Sequence, residues 1–231
     1  MKTITISLFN RPEYTRTMIQ NLTQCKGLKD YLVIFSIDYA CDEVVKIAES
    51  FMGTNKEIFI NKPKLGCGGN IQRSMDLGFS KSEYNIHLED DIVPGRDCLQ
   101  YFEFCNQQYK NDKSVFSITA FSMDKDLSPE AANHIIRAKW FHPWGWATWK
   151  DRWLEIRDDW DFIHEKGGWD VNMCFRLRKD RYMIKPILAR VQNIGALNGV
   201  HTTPTIHKQE QFNEIWVNTT SFCESEFQEL V

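Results

Sequence analysis

The chain has 231 residues, of which 42% are hydrophobic and 26% are charged, and its formal net charge is −3. This length suffices for one domain with a sizeable core, and the charge balance argues against binding nucleic acid through overall positive charge, although it leaves room for a local basic patch. No apolar run reaches the length of a membrane span, and the N-terminus leads directly into a strand pattern, so we expect a cytoplasmic protein without a signal peptide or a transmembrane segment.

The cysteines indicate neither a disulfide framework nor a zinc site. There are seven, an odd number, and the nearest pairs, Cys25 with Cys41 and Cys98 with Cys105, lack the spacing of zinc ligands. Thiols stay reduced in the cytoplasm, where structural disulfides are rare. We therefore expect buried free thiols.

Strand and helix patterns alternate through the first half of the chain. Apolar runs rich in β-branched residues have the length of buried strands, and the segments between them carry apolar residues at helical spacing. The predicted strands are residues 3–9, 31–37, 57–61, 84–88 and 114–119, and the predicted helices are residues 13–22, 42–51, 71–77 and 98–109. This alternation favours a single α/β domain with a mostly parallel sheet flanked by helices.

A glycine-rich stretch, residues 64–70, precedes the predicted helix at 71–77. It lacks both the GK[ST] ending of a P-loop and the GxGxxG order of a dinucleotide site. We predict a flexible loop that could cover a ligand.

Tryptophans dominate the segment after residue 139. A helix beginning near Ala147 would place Trp146, Trp149 and Trp153 on one side, and the last two are predicted to lie in the core. Trp144 and Trp146 would precede this helix in a loop, where they are candidates for ligand contact. The other predictions for this half are a surface excursion at 123–138, a helix at 171–178, a strand at 185–194, a mobile loop at 195–207, and short helical pieces at 212–216 and 227–230.

Three adjacent acids, Glu89, Asp90 and Asp91, follow the predicted strand at 84–88 and precede Pro94. They should therefore lie at the C-terminal end of that strand, the edge where open α/β sheets bind ligands. Adjacent carboxylates repel one another, and a cation would compensate them. Carboxylate oxygens favour Mg²⁺ or Mn²⁺, which take further ligands from substrate phosphates. The alternative is an acidic turn without a ligand.

Three other charged residues occupy comparable positions. Arg11 follows the first strand and enters a helix, where it could meet a phosphate or a base, or form a surface salt bridge. Asp38 ends the second strand and could accept from a nucleobase or a ribose. Asp170 precedes a predicted helix. It either caps this helix or acts as a general base.

Taken together, these segments resemble the GT-A glycosyltransferases, and specifically the inverting β-1,2-N-acetylglucosaminyltransferases of the N-acetylglucosaminyltransferase I type, with smaller bacterial and viral relatives. The resemblance covers nearly the whole chain. The matching stretches are FNRPEYTRTMIQNL, SIDYACDEV, LEDDIVPGRDCLQYF, WGWATWKDRWLEIRDDW with the later Trp169-Asp170, and KPILARVQNIGALNGVHT. The resemblance implies a Rossmann-like GT-A fold.

The resemblance also implies roles for individual residues. Asp91, the third acid, is implied as the direct metal ligand and Asp170 as the catalytic base. The implied donor contacts are Arg11 near the nucleotide, Asp38 at the base, and Glu89 and Asp90 at the donor sugar and ribose.

The chain departs from the family pattern at two positions. Val171 stands where the family commonly has a second acid, and His201 stands where it has a serine. Both positions are implied to lie near the acceptor and the phosphates, so we place His201 among the substrate-binding residues and expect a different acceptor. An acceptor pocket could be formed by Trp144, Trp146 and the basic run Arg176, Arg178, Lys179 and Arg181, although such a run is more often a solvated helix face.

The resulting hypothesis is a metal-dependent inverting glycosyltransferase that uses Mn²⁺ or Mg²⁺ and a nucleoside-diphosphate sugar, with UDP implied by the resemblance. Residues 1–122 would bind the nucleotide sugar, and residues 123–231 would carry the acceptor site and the base. The acceptor could be a glycan, a lipid-linked sugar or a hydroxymethylated DNA base. The alternatives are a sugar-1-phosphate nucleotidyltransferase and a non-catalytic sugar-nucleotide-binding module.

Overall fold

The computed structural model describes residues 1–39, 41–124, 133–160, 168–196 and 228–230. In this part of the chain one nine-stranded sheet runs through the molecule in the order β11-β7-β9-β6-β8-β4-β1-β2-β3, and a two-stranded sheet pairs β5 with β10. The strands are β1 (Lys2–Leu8), β2 (Tyr31–Ile37), β3 (Lys56–Ile60), β4 (Tyr84–Glu89), β5 (Ile92–Pro94), β6 (Val115–Thr119), β7 (His134–Ala138), β8 (Trp146–Trp149), β9 (Tyr182–Pro186), β10 (Val191–Asn193) and β11 (Gln228–Leu230).

Helices connect the strands and cover the sheet. They are α1 (Pro12–Thr23), α2 (Asp42–Ser50), α3 (Gly66–Phe79), α4 (Cys98–Tyr109), α5 (Lys150–Leu154) and α6 (Trp169–Asn172), which a π-helical segment, Met173–Leu177, continues. Short 3₁₀ turns occupy Leu28–Asp30 and Arg157–Asp159. The predicted α/β class is confirmed, since the pairs β1/β2, β2/β3, β1/β4 and β6/β9 are all parallel.

The parallel strands bring three predicted site segments to one edge of the sheet. Strand β1 lies between β2 and β4, with Leu8 paired to Ile37 and Ser7 paired to Glu89. These strands form because their apolar, often β-branched residues are buried on both faces of the sheet. Their shared direction places the residues that follow them at the same C-terminal edge.

Strand β8 corrects the predicted tryptophan helix. Trp146 begins a strand that runs antiparallel to both β4 and β6, with Trp146 opposite His87 and Thr119. The helical spacing of the tryptophans was misleading because this segment fills the gap between two strands, and α5 begins only at Lys150. Trp149 and Trp153 are nevertheless buried, as predicted.

Other boundaries also differ from the predictions. The stretch at 64–70 is not a loop throughout, because α3 begins at Gly66. Strand β7 forms within the predicted excursion, the predicted strand at 185–194 is divided between β9 and β10, and the last predicted helical piece contains β11. Each of these segments is a strand because it pairs with a neighbouring strand in one of the two sheets. The predicted piece at 212–216 lies outside the described residues.

The core has two parts. One packs the sheet against α1, α2 and α4, and the other gathers the aromatic side chains Phe116, Phe141, Trp146, Trp153, Trp160 and Trp169. In the described ranges, no helix combines the length and the apolar character that crossing a membrane requires.

His87 makes the stability of the fold depend on pH. Its ring is fully buried on β4, 3.2 Å from the hydroxyl of Thr5, and burial lowers its pKa from 6.5 to about 3. The unfolded chain therefore takes up a proton below pH 6.5 that the folded chain does not, so the stabilising effect of neutral His87 is complete above that pH and is lost as the pH falls toward 3.

We expect the stability difference between the wild type and His87→Asn to shrink by about 2.5 kcal/mol between pH 7.5 and pH 4.5, at about 1.4 kcal/mol per pH unit below 6.5. Urea unfolding of both proteins at several pH values measures this difference. A constant difference across the range would show that His87 titrates alike in the folded and unfolded states.

Candidate functional site

The acidic segment forms the turn between β4 and β5. Glu89 ends β4, and Asp90 and Asp91 follow with only 2% and 8% of their surface exposed. The turn is fixed from the other side by β10, because Ile92 pairs with Asn193 and the carbonyl of Asp91 accepts a 2.9 Å hydrogen bond from the N–H of Ile194. The predicted position of these acids at the strand end is confirmed.

Arg11 is the counter-charge of two of these acids. Its Nε and Nη2 atoms donate to the two oxygens of Asp90, the first over 3.0 Å, and its Nη1 donates to Oδ2 of Asp91 over 2.9 Å. Burial alone would lower the pKa of Arg11, but Asp90 and Asp91 raise it by more, so the guanidinium stays charged. The sequence left open whether Arg11 meets a phosphate or a base, or forms a surface salt bridge. In the structure it forms an ion pair with the acidic turn, where both partners are largely buried.

One guanidinium does not balance three carboxyl groups. Burial, followed by repulsion from Asp91 and Asp90, raises the pKa of Glu89 to about 8, and Asp170 adds to this effect. Burial also raises the pKa of Asp90 to about 6, although Arg11 opposes that shift. The turn therefore carries excess negative potential, which is the property of a cation site.

The residues at the turn fit a divalent cation that is shared with a ligand. Oδ1 of Asp91 has no hydrogen-bond partner within the described ranges, and a Cβ atom on Gly195 would come within 2.3 Å of Oδ2 of Asp91. The absence of a side chain at Gly195 thus keeps space beside this carboxylate. In that same part of the chain no three His, Cys, Asp or Glu side chains form a complete metal cage, and Mg²⁺ or Mn²⁺ held by one carboxylate would need its other ligands from phosphate and water.

Asp170 is close enough to the acidic turn to interact with Glu89. It occupies the first turn of α6, is partly exposed, and its carboxylate has no hydrogen bond or ion pair with any described residue. Its charge contributes to the raised pKa of Glu89. Cys67 is exposed to solvent at the surface, but neighbouring atoms partly desolvate its thiol, and this effect, with the charges of Glu89 and Asp91, raises its pKa. A hydrogen bond with Trp169 opposes the shift. Asp170 therefore lies near Glu89 at the end of β4, and the roles of Asp91 and Asp170 stay predictions.

Stacked tryptophans fix the position of Asp170. Trp169 stacks on Trp160 with ring centroids 5.3 Å apart and on Trp146 with centroids 6.2 Å apart. Trp160 donates through Nε1 to the carbonyl of Gly68 over 3.1 Å, which ties the stack to α3. Trp146 itself is fully buried. The prediction that Trp146 lies in a loop and contacts ligand is wrong, because β8 places its ring inside this stack.

Asp38 has a different environment from the one predicted. It is 2% exposed, and its two carboxylate oxygens accept from the backbone N–H groups of Leu65, over 2.7 Å, and Gly66, over 2.8 Å. Gly66 has a φ of +76°, a conformation that favours glycine. Asp38 therefore anchors the start of α3. A contact with a nucleobase would have to share these oxygens, and it stays a prediction.

The remaining predicted residues divide between described and undescribed parts of the chain. Trp144 is half-buried beside the core, and His201 lies outside the described residues. Sequence reasoning missed Gly195 as a site residue, because nothing in the predicted mobile loop indicates that this glycine lies beside Asp91 in the folded protein. It also missed Cys67 as the link to Trp169.

Replacing Arg11 by Met should reduce the free energy of unfolding by about 2–4 kcal/mol, because it leaves the buried Asp90 without its partner. Excess Mn²⁺ should restore part of this loss by supplying positive charge to the turn. Urea unfolding with and without Mn²⁺ measures both effects. Arg16→Met is the matched control, since Arg16 is 45% exposed and pairs with Glu43 at the surface, where the expected loss is about 0–1 kcal/mol. Equal losses in both variants would contradict the role of Arg11.

Solved structures with a similar fold include proteins that bind nucleotide sugars. The mannosyltransferase PcManGT from Pyrobaculum calidifontis, in complex with GDP-Man and Mn²⁺, superimposes with a TM-score of 0.60 at 14% identity over 86% of this chain and 58% of that one. S. aureus TarS 1-349 in complex with UDP-GlcNAc gives a TM-score of 0.59 at 14% identity over 83% and 58%. The chain thus spans less than two thirds of the length of these structures. At this identity the likeness shows the fold, which is GT-A.

The sequence comparison gives the family. No curated protein matches the sequence, but the model of the GNT-I family matches residues 72–222, which is more than half of the chain. That range includes the acidic turn, the tryptophan stack and Asp170. The chain belongs to the GNT-I family and has the GT-A fold.

Proposed function

We propose that this protein is a metal-dependent inverting glycosyltransferase that moves a sugar from a nucleoside-diphosphate sugar, which we assign as a UDP-sugar, to an acceptor hydroxyl. The observation that carries the proposal is an under-compensated acidic turn with Asp170 close to it, whose carboxylate has no hydrogen bond or ion pair with any described residue. The first can bind a cation with a diphosphate, and the second can accept a proton. The proposed metal-dependent inverting transfer uses both functions.

The donor would bind across the C-terminal edge of the sheet. The structural neighbours with bound ligands contain GDP-Man with Mn²⁺ in one case and UDP-GlcNAc in another, which supports a nucleotide sugar at this edge. Asp91 would hold Mn²⁺ or Mg²⁺, which when bound neutralises negative charge on the departing nucleoside diphosphate. Arg11 holds Asp91 in place, and Glu89 and Asp90 would contact the donor sugar and the ribose.

Asp170 would act as the general base. It removes the proton from the acceptor hydroxyl as the oxygen forms a bond to the anomeric carbon, while the bond from that carbon to the diphosphate oxygen breaks. The proton stays on the carboxyl group, and the electron pair leaves with the nucleoside diphosphate. Attack opposite the leaving group inverts the anomeric configuration. Because the ring of Trp169 stacks between those of Trp146 and Trp160, the backbone next to it at Asp170 is held in position.

Two other functions predict different products. A sugar-1-phosphate nucleotidyltransferase would release pyrophosphate and should carry a glycine-rich N-terminal motif ending in Lys, which SLFNRPEYT lacks. A non-catalytic binding module would bind the donor without turnover, and it would not need a carboxylate such as Asp170 near the acidic turn. Slow donor hydrolysis in Mn²⁺, with release of the nucleoside diphosphate, distinguishes the transferase from both.

We expect a panel of nucleotide sugars to identify the donor by thermal shift, because a ligand that binds only the folded state raises its apparent stability. The increase should require Mn²⁺ or Mg²⁺, and it should be lost in Asp91→Asn. Asp158→Asn is the control, since Asp158 is 91% exposed and should keep the full shift. A metal-dependent shift that survives in Asp91→Asn would exclude Asp91 as the metal ligand.

Asp170→Asn should lower the rate of transfer by about 10²–10⁴-fold, the usual contribution of a general base, and leave the donor-induced thermal shift unchanged. Turnover under saturating donor measures the rate. The matched control is Asp180→Asn, because Asp180 lies just beyond the same helical segment and its side chain is 97% exposed. If Asp170→Asn turns over at the wild-type rate, another group accepts the proton.

A further inference from the structure

A buried ion pair joins the start of α4 to the start of β10, and the proposed chemistry does not use it. Nε of Arg190, the residue before β10, donates to Oδ2 of Asp97, the residue before α4, over 3.1 Å. Both residues are 1% exposed. Removing two charges from water is costly, and apolar residues of similar size often stabilise such a position equally well. Stability alone therefore does not explain why this pair is ionic.

The backbone of Arg190 contributes to the same junction. Its carbonyl accepts from the N–H of Gly95 over 2.8 Å, and its N–H donates to the carbonyl of Ala120 over 2.7 Å. A Cβ atom on Gly95 would lie 3.3 Å from the carbonyl oxygen of Arg190, so a glycine favours this close approach. Gly95 follows β5 and Ala120 follows β6. Arg190 thus connects the ends of both strands to the start of α4.

The strand pair beside this junction holds the acidic turn. β5 and β10 are three residues each, and they pair from Val191 opposite Pro94 at the end next to the buried ion pair. At the other end the N–H of Ile194 donates to the carbonyl of Asp91 over 2.9 Å. A two-stranded pair is marginal by itself, so contacts outside these strands must help to fix their register.

The register decides which residue lies beside Asp91. In the structure this residue is Gly195, where a Cβ atom would come within 2.3 Å of Oδ2 of Asp91. Residues 192–194 and 196–198 all carry a Cβ atom. A shift of the pairing in either direction would bring one of them to the place of Gly195, because register sets the position of every side chain along a strand. The space beside Asp91 therefore depends on the register of β5 and β10.

We propose that the Arg190–Asp97 pair fixes the register of β5 and β10, and so keeps the space beside Asp91 open for the divalent cation. This inference rests on the proposed metal-dependent function and adds two positioning residues to it. Both act through the backbone of the strand pair, and Asp91 remains the proposed metal ligand. An ion pair suits this task because its hydrogen bond is directional, and fixing register is the best-attested use of a buried polar pair.

The test replaces the ion pair by apolar residues in the double variant Asp97→Leu/Arg190→Met. Mn²⁺ binding in the presence of UDP or GDP is measured from the electron paramagnetic resonance signal of free Mn²⁺. The affinity should fall about 10–100-fold, the usual effect of losing a group that orients a metal ligand. Because no buried charge is left unpaired, the double variant should resist urea better than Asp97→Leu alone.

Two further variants show whether the effect passes through the space beside Asp91. Lys2→Met/Glu103→Leu is the matched control, since this 2.8 Å pair also joins α4 to a strand but is 30% and 29% exposed, and it should keep the wild-type affinity for Mn²⁺. Gly195→Ala should weaken Mn²⁺ binding because its Cβ fills the same space. Added to the double variant, it should cost less than it does in the wild type, since changes that act on one site are not additive.

Hydrogen exchange tests the register without any ligand. The amides of Gly95 and Ile194 donate across the strand pair, and they should exchange faster in the double variant than in the wild type. The amide of Ile4 in β1 should keep its protection. Arg190→Lys, which retains the charge but lacks Nε, should change both exchange and Mn²⁺ affinity in the same direction, and it takes the place of the double variant if that protein does not fold.

The outcomes separate this inference from the proposed function. Wild-type Mn²⁺ affinity in the folded double variant would overturn the positioning role, and so would weaker binding with unchanged exchange at Gly95 and Ile194. A full additional loss from Gly195→Ala in the double variant would also overturn it. If the wild type binds no Mn²⁺ with either nucleotide, the proposed metal-dependent function itself is refuted, and the role of the pair toward the cation is refuted with it.

Discussion

The contact between Arg11 and the two acids Asp90 and Asp91 joins the first strand of the fold to its acidic turn. Strands β1 and β4 are neighbours and run in the same direction, so the residues that follow them meet at one edge. The guanidinium then binds Asp90 through two nitrogens and Asp91 through the third. Such charge-assisted contacts are strong and directional, and they hold two buried carboxylates in a turn that their repulsion would otherwise open.

The compensation by Arg11 is incomplete, and this gives the site its chemical character. Glu89 keeps a raised pKa because burial and the neighbouring acids favour its neutral form. A divalent cation that binds together with a diphosphate would supply the positive charge that Arg11 alone does not provide. Its attraction to the carboxylates of the turn is strong because the effective dielectric constant there is low. Gly195 matters because it has no side chain, since any larger residue would occupy the space beside Asp91. The proposed donor site thus consists of Arg11, the carboxyl groups of the acidic turn, and the space that Gly195 leaves beside Asp91.

Aromatic rings hold the segment that carries Asp170. The antiparallel strand β8 enters the sheet between β4 and β6 and carries Trp146 into the interior, where it stacks on Trp169. One strand therefore sets the position of Trp169, the residue before Asp170. The GNT-I family match covers this half of the chain and the acidic turn, but does not reach Arg11 or Asp38.

The sequence by itself determined the parallel part of the fold. Short apolar runs rich in β-branched and aromatic residues, such as Tyr31–Ile37, favour buried strands, and the acids that follow them are then expected at strand ends. That reasoning placed Arg11 and the acidic turn correctly, because both depend on local pattern and strand direction. The family resemblance added a role for Asp170 that local pattern left open between a helix cap and a base.

Only the tertiary structure decided the rest, because it depends on partners distant in the chain. The tryptophan spacing fits a helix, yet pairing with β4 and β6 makes Trp146–Trp149 a strand and buries Trp146. Asp38 faces the backbone of Leu65 and Gly66, and Gly195 faces Asp91, contacts that no local pattern encodes. Sequence periodicity reports whether a side chain is buried, whereas the identity of its neighbour is set by how the strands and helices pack.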